Sequence, residues 1–213
     1  MPMPIIVDNN TNSSTSDSDN ANANNERRVA ITNPNVEVTL PVLQYGYRAT
    51  KATWEELVEI IEIEGNIPKL SRSRAQQHDY EVFRYHMTQK YRSTLDYILI
   101  SKFGFDALPE KGDNNTKHQT KWRAEPCLND VTTPRSILVE NDFPYCVQDN
   151  IVHYVLWKLK EPITPHEILE ARETLQSPSI ENMIRAKEIL QWVNPPNLKS
   201  IPEIDHVHFL CLL

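Results

Sequence analysis

The segment Ile151-Val152-His153-Tyr154-Val155-Leu156-Trp157 constrains the fold of this chain more than any other stretch. Its β-branched and aromatic residues make it the strongest strand in the sequence. A histidine inside such a run has to find a hydrogen-bond partner or stay neutral. Alternate strand residues share a face, which puts His153 with Ile151, Val155 and Trp157. The closing segment, Asp205-His206-Val207-His208, places two more imidazoles on one face of a strand that begins near Ile204. If the two strands pair, His153 joins His206 and His208 as a third imidazole. Each histidine also has a plain structural reading, as a satisfied core residue or a solvent-facing one.

The surrounding sequence supplies helices. Thr53-Trp54-Glu55-Glu56 is a capping box, with Leu57, Ile60 and Ile61 on one helical face and Gly65 and Pro68 as its end. A second helix follows Leu70-Ser71-Arg72-Ser73-Arg74, with Tyr80, Phe83, Met87 and Tyr91 as an aromatic stripe. Ser93 caps a third, with Leu95, Ile98 and Leu99 inward and Gly104 as its left-handed stop. Residues 109–134 show no periodicity and read as a long loop. Ser136 to Glu140 reads as a short strand. Thr164-Pro165-His166-Glu167 opens a helix through about Leu175. Ile180, Met183, Ile184, Ala186, Leu190 and Val193 predict one more helix, stopped by Pro195-Pro196.

These elements predict an α+β fold, with N-terminal helices and a small mixed or antiparallel sheet, in one domain over residues 39–213. Residues 1–38 are rich in Asn, Ser, Asp and Thr, and are expected to form a disordered tail because they cannot bury enough apolar surface to offset ordering entropy. Val36 to Leu43, interrupted by Pro41, is at most an edge strand or an extended lead-in. A length of 213 residues suits one domain plus a tail.

A net charge of −7 argues against a general nucleic-acid binder, which needs a basic face. Cys127, Cys146 and Cys211 are odd in number and lack CxxC spacing, which argues against a disulfide framework or a structural zinc site and for a reducing compartment. The opening residues lack the cationic and apolar regions of a signal peptide. No apolar run approaches the roughly 18 residues of a membrane span. The expectation is a cytoplasmic protein, with the nucleus also open to it, that binds neither membrane nor nucleic acid.

The candidate site gathers around the histidines. His153, His206 and His208 are candidate general bases or nucleophiles. Asn141-Asp142-Phe143-Pro144-Tyr145 is a turn in which Asp142 can orient a histidine or accept from a ligand hydroxyl, and Tyr145 can donate to it. Arg72 and Arg74 flank Ser73 at a helix start, a setting for phosphate or carboxylate. Asn194 and Ser200 lie on the loop that leads into the His206 strand. Rigid turns and solvated arginines explain the same residues without a ligand. Only four glycines are present, and phosphate-loop, GxSxG and HExxH patterns are missing. No cofactor is indicated, and no metal is assigned, although three converging imidazoles would be the place to look for one.

Taken in order, Trp54, Leu70-Ser71-Arg72-Ser73, Tyr80, Asn141-Asp142-Phe143-Pro144-Tyr145, His153, Trp157, Trp192-Val193-Asn194-Pro195-Pro196, Ser200-Ile201-Pro202 and His206-Val207-His208 make a set. With that set the chain resembles the fungal N-acetylglucosamine-induced protein 1 family, a domain of unknown function, over about residues 45 to 213. The resemblance implies a cytoplasmic fungal protein linked to the amino-sugar response, with no assigned reaction. A second likeness is to the histidine-triad nucleotide-binding fold, in which a strand histidine attacks phosphorus. Leu210 breaks an H-x-H-x-H run from His206, which leaves the nucleophile unassigned. Two functions follow as expectations. One is a protein that binds or processes an amino-sugar phosphate or nucleotide sugar. The other is a non-catalytic regulatory or interaction protein in the N-acetylglucosamine response.

Overall fold

Threonine 53 starts the first helix. In the computed structural model, which describes residues 36–110, 120–125, 135–177 and 185–213, its hydroxyl accepts from the Glu56 amide while the Glu56 carboxylate accepts from the Thr53 amide. This cap opens α1 (Trp54–Val58), which runs on as a π-helical turn over Glu59–Ile63. Gly65, at φ +62°, turns the chain out of it, and Pro68 sits in a 3-10 turn over Ile67–Lys69. Ser73 and Gln76 form a second reciprocal cap at α2 (Arg74–Lys90). Ser93 caps α3 (Thr94–Ser101), and Gly104 follows at φ +69°.

Two short strands, β1 (Ala107–Glu110) and β2 (Lys121–Ala124), pair antiparallel. This corrects the expected loop over 109–134, of which residues 111–119 and 126–134 lie outside the described part. Asp96 on α3 anchors the ribbon. It is 1 % exposed and accepts from the Ala124 amide, the Ser93 hydroxyl and the Arg92 guanidinium. Periodicity does not reveal such a ribbon, because it is held from outside by one buried carboxylate.

The main sheet contains β3 (Ser136–Glu140), β4 (Ile151–Lys158), β5 (Glu188–Trp192) and β6 (Asp205–Leu212), ordered β3-β4-β6-β5 and wholly antiparallel. A 12-residue helix, α4 (Pro165–Gln176), starts at the Thr164–Glu167 capping box. It covers the face of Leu156, Ile189, Val207, Phe209 and Cys211 with Ala171 and Leu175. The opposite face lies under the N-terminal elements, where Trp54, Leu57, Ile60 and Leu70 pack on Ile151, Leu190, Trp192 and Leu210. Further along, Ile98, Leu99 and Phe103 form a third apolar cluster with Leu159, Ile201 and Ile204. The fold is α+β, as the sequence predicts.

β5 replaces the helix expected over 180–193; residues 178–184 lie outside the described part. Ile189 and Leu190 are both buried because both faces of this strand are covered, so the alternation that signals a strand is lost. The tail expected over 1–38 lies outside the described residues except for 36–38; these and the residues on to Leu43 form no regular element, and a turn follows at Gln44 and Tyr45.

One ion pair joins sheet to helix. Lys158, 4 % exposed on β4, donates to Glu167 of the α4 cap at 2.8 Å, and the exposed Glu161 stands 3.9 Å away. The Glu167 carboxyl is held below its ordinary range despite burial, by bonds from Lys158 and Thr164. Removing one partner strands a buried charge, so Glu167→Gln should cost about 3 kcal/mol. Adding Lys158→Met should recover most of that loss, a non-additivity measurable in a double-mutant cycle of urea melts.

Candidate functional site

Strand register creates the site. Val155 pairs with His208, Trp157 with His206, His153 with Leu210, and Trp192 with His208. All of these point to the face under the N-terminal elements. His153 and His208 therefore lie on adjacent strands, diagonally related, and His153 Nε2 comes 3.1 Å from His208 Nδ1. The far side of each ring is also occupied. The Asn194 amide nitrogen lies 3.0 Å from His208 Nε2, and the Asn141 amide nitrogen lies 3.2 Å from His153 Nδ1 and 3.4 Å from Nε2.

The direction of hydrogen bonding along this chain follows from one donor. The Trp192 indole N–H can only donate, and it donates to Asn194 Oδ1 at 3.0 Å. That fixes the Asn194 amide nitrogen as donor toward His208 Nε2. His208 then carries its proton on Nδ1 and donates to His153 Nε2, so neutral His153 also carries its proton on Nδ1. Asn141 Oδ1 is already taken by the Phe143 amide at 3.0 Å, so at its 3.2 Å approach the Asn141 N–H meets another donor. Only the weaker contact with Nε2 remains to it. The row is one acceptor short at the Asn141 end.

Aromatic rings seal this row. Tyr145 stacks on His153 at 5.4 Å and 16°, and Trp192 stacks on His208 at 5.0 Å and 12°. Asn194 also bonds the Tyr145 hydroxyl. Arg72 braces the Asn141–Tyr145 corner from α2, donating through Nε and Nη2 to the Phe143 carbonyl at 3.1 and 2.8 Å and through Nη1 to Gln77 at 3.3 Å. Its guanidinium lies over the rings of Tyr80 and Tyr145. Phe143 enters the α2 stripe against Tyr80 and Phe83. The stripe read from the sequence is thus the surface on which this corner docks.

His206 stands apart. Its Nδ1 donates to the Ile204 carbonyl at 2.9 Å, and its ring packs on Trp157 at 4.6 Å. Its Nε2 has no hydrogen-bond partner among the described residues. At 1 % exposure the ring is buried as deeply as the paired histidines, and this nitrogen touches the surface only at its edge.

Asn141, Tyr145, Asn194 and Arg72 converge on the histidines, whereas three other expected residues do not. Asp142 turns away to Lys102 at 2.6 Å and to the Tyr97 hydroxyl. Arg74 is exposed near the Tyr47 ring, and Ser200 is exposed on the loop before β6. Trp192, which orders the proton row, goes unassigned from sequence as a site residue because its segment reads as helix. As a strand, Trp192-Val193-Asn194 would have shown its donor and acceptor two residues apart.

Fold and site define a small α+β protein with a buried imidazole pair clamped between two asparagine amides. The chain belongs to the family described as "Protein of unknown function (DUF3605)", whose model matches residues 53–212. It is similar to the uncharacterized protein YPL067C of Saccharomyces cerevisiae, 32 % identical over 168 residues, which cover 74 % of this chain and 77 % of that one. A crystal structure titled HTC1 matches at a TM-score of 0.44 and 22 % identity, covering 79 % of this chain and 86 % of that one.

Burial holds all three imidazoles below their ordinary value of 6.5, His208 down to about 3, with the field of Arg72 adding to the shift for His153 and His208. The folded state keeps them neutral, while the unfolded chain takes up protons near 6.5. Their contribution to stability is therefore complete above that value and is lost as pH falls toward about 3. The melting temperature should be level between about pH 7 and 8 and should drop between about pH 6.5 and 5, before the carboxylates begin to titrate. A melting temperature level down to pH 5 would contradict neutral burial. Imidazole 15N shifts test the proton row. Both His153 and His208 should be Nδ1–H in the wild type. Both should become Nε2–H in Asn194→Asp, where a carboxylate accepts from Trp192 and from His208.

Proposed function

We propose that this chain is a non-catalytic regulatory or interaction protein, in which the His153–His208 pair locks the sheet to the N-terminal elements. One observation carries the reading: both nitrogens of each ring are occupied by protein groups, and the rings are 2 % and 7 % exposed. His153 and Asn194 take both nitrogens of His208, and the Asn141 amide stands over the remaining nitrogen of His153 and closes it off. The link to the N-acetylglucosamine response rests on the motif resemblance. Two buried free thiols, Cys146 and Cys211, support a reducing compartment such as the cytoplasm or nucleus, and burial pushes the Cys211 thiol up to about 12. No helix among the described residues is long and apolar enough to cross a membrane.

His206 favours a second reading, binding or processing of an amino-sugar phosphate or nucleotide sugar. Its Nε2 has no partner among the described residues, its buried ring is neutral, and the Lys199 ammonium is close enough to act on it. A buried neutral imidazole with one free nitrogen can accept a proton from a ligand hydroxyl. In the histidine-triad comparison, His206 is the imidazole that could face a phosphate, because His153 and His208 face each other.

A thermal titration with glucosamine 6-phosphate and UDP-N-acetylglucosamine separates the two readings. The first expects no midpoint shift with either compound. It also expects His153→Ala and His208→Ala each to lose about 2–4 kcal/mol, through a cavity and an orphaned ring nitrogen. A saturable shift that disappears in His206→Gln would replace it with the second.

A further inference from the structure

On the surface near the start of α1 lies an open groove of about 660 Å³. Tyr45 and Tyr47 line it, with Ile60 and Ser71 among its buried lining residues and glutamates along α1 and the turn that follows. Four carboxylates face two cations there. Arg48 is taken by Glu56 at 3.0 Å, and Lys69 by Glu64 at 2.7 and 2.6 Å. Glu55 and Glu59 have neither an ion pair nor a hydrogen bond among the described residues; Glu59 feels only the more distant field of Lys69. Standing four residues apart, the two carboxylates are helical neighbours that repel each other and together can enclose one positive charge.

Ser71 is a second, independent pointer. The residue is 7 % exposed and lines the groove, yet its hydroxyl has no partner among the described residues. No sealed side-chain oxygen is left unpaired, so this hydroxyl opens into the groove. A buried hydroxyl without a protein partner is satisfied by whatever occupies the space beside it. Aromatic walls, paired carboxylates and an isolated hydroxyl form the usual surroundings of a protonated amine.

We propose that this groove binds a small organic amine, with Glu55 and Glu59 enclosing the ammonium, Tyr45 and Tyr47 flanking its carbon skeleton, and Ser71 bonding a polar group at the floor. The site is separate from the histidine row and does not depend on its role. Calorimetric titration of the full chain tests it with spermidine, a linear amine, and glucosamine, a hydroxyl-bearing ring. N-acetylglucosamine is the control, because acetylation removes the charge. At least one amine should bind and the control should not, and whichever binds more tightly identifies the source. Affinity should fall about tenfold or more in the Glu55→Gln/Glu59→Gln variant, as charge-assisted bonds become neutral ones. It should fall several-fold in Ser71→Ala. Neither change removes a hydrogen bond or ion pair among the described residues, so both variants should stay folded, the double variant losing only the small helix-start contribution of Glu55. The proposal is overturned if neither amine binds, if N-acetylglucosamine binds as tightly, or if either variant leaves the affinity unchanged.

Discussion

The antiparallel pairing of β4 with β6 is the constraint on which the rest of the structure depends. A one-residue slip of β6 would turn His206 and His208 from the face under α1 to the face under α4 while His153 stayed in place, and the imidazole pair would be lost. In the observed register, the two central imidazoles meet each other and nothing else on the sheet has to give way. Apolar residues on both faces hold that register, with Phe209, Leu210 and Cys211 all fully buried. The polar row is therefore a consequence of packing, and it then reinforces the packing that placed it.

That row also ties distant parts of the chain together. Asn141 belongs to the corner after β3, His153 to β4, His208 to β6 and Asn194 to the loop after β5. Arg72 extends the connection to the start of α2. A buried polar network of this kind strengthens a fold only when every member is satisfied. The weak link at Asn141 is therefore the place where the arrangement is least settled. His206, two residues along β6, is as buried but has no imidazole partner for Nε2, because its neighbours are a carbonyl on one side and an indole face on the other.

Much of the fold is legible in the sequence where local chemistry decides it. The caps at Thr53, Ser73, Ser93 and Thr164 are all present, because a hydroxyl three residues before an amide needs no tertiary help. The β-branched run at 151–158 is a strand for the same local reason. β5 is misread because Ile189, Leu190 and Trp192 suit either a helix face or a doubly covered strand. The β1–β2 ribbon goes unseen because Asp96 holds it from another element. Among the site residues, Asn141, Tyr145 and Asn194 contact the histidine pair, and Arg72 braces the corner that carries two of them instead of pairing with Arg74. Asp142 does not, because Lys102 and Tyr97 draw it to the opposite side of the corner.

The sequence by itself determined which residues are capable of chemistry and that His206 and His208 share a face, since strand alternation is a property of the backbone alone. Tertiary structure decided what those imidazoles can do. Burial lowers their basicity, an adjacent strand supplies each central ring with a partner, and a single indole donor sets the direction of the protons between them. Those are distances between residues far apart in the chain, and no local pattern encodes them.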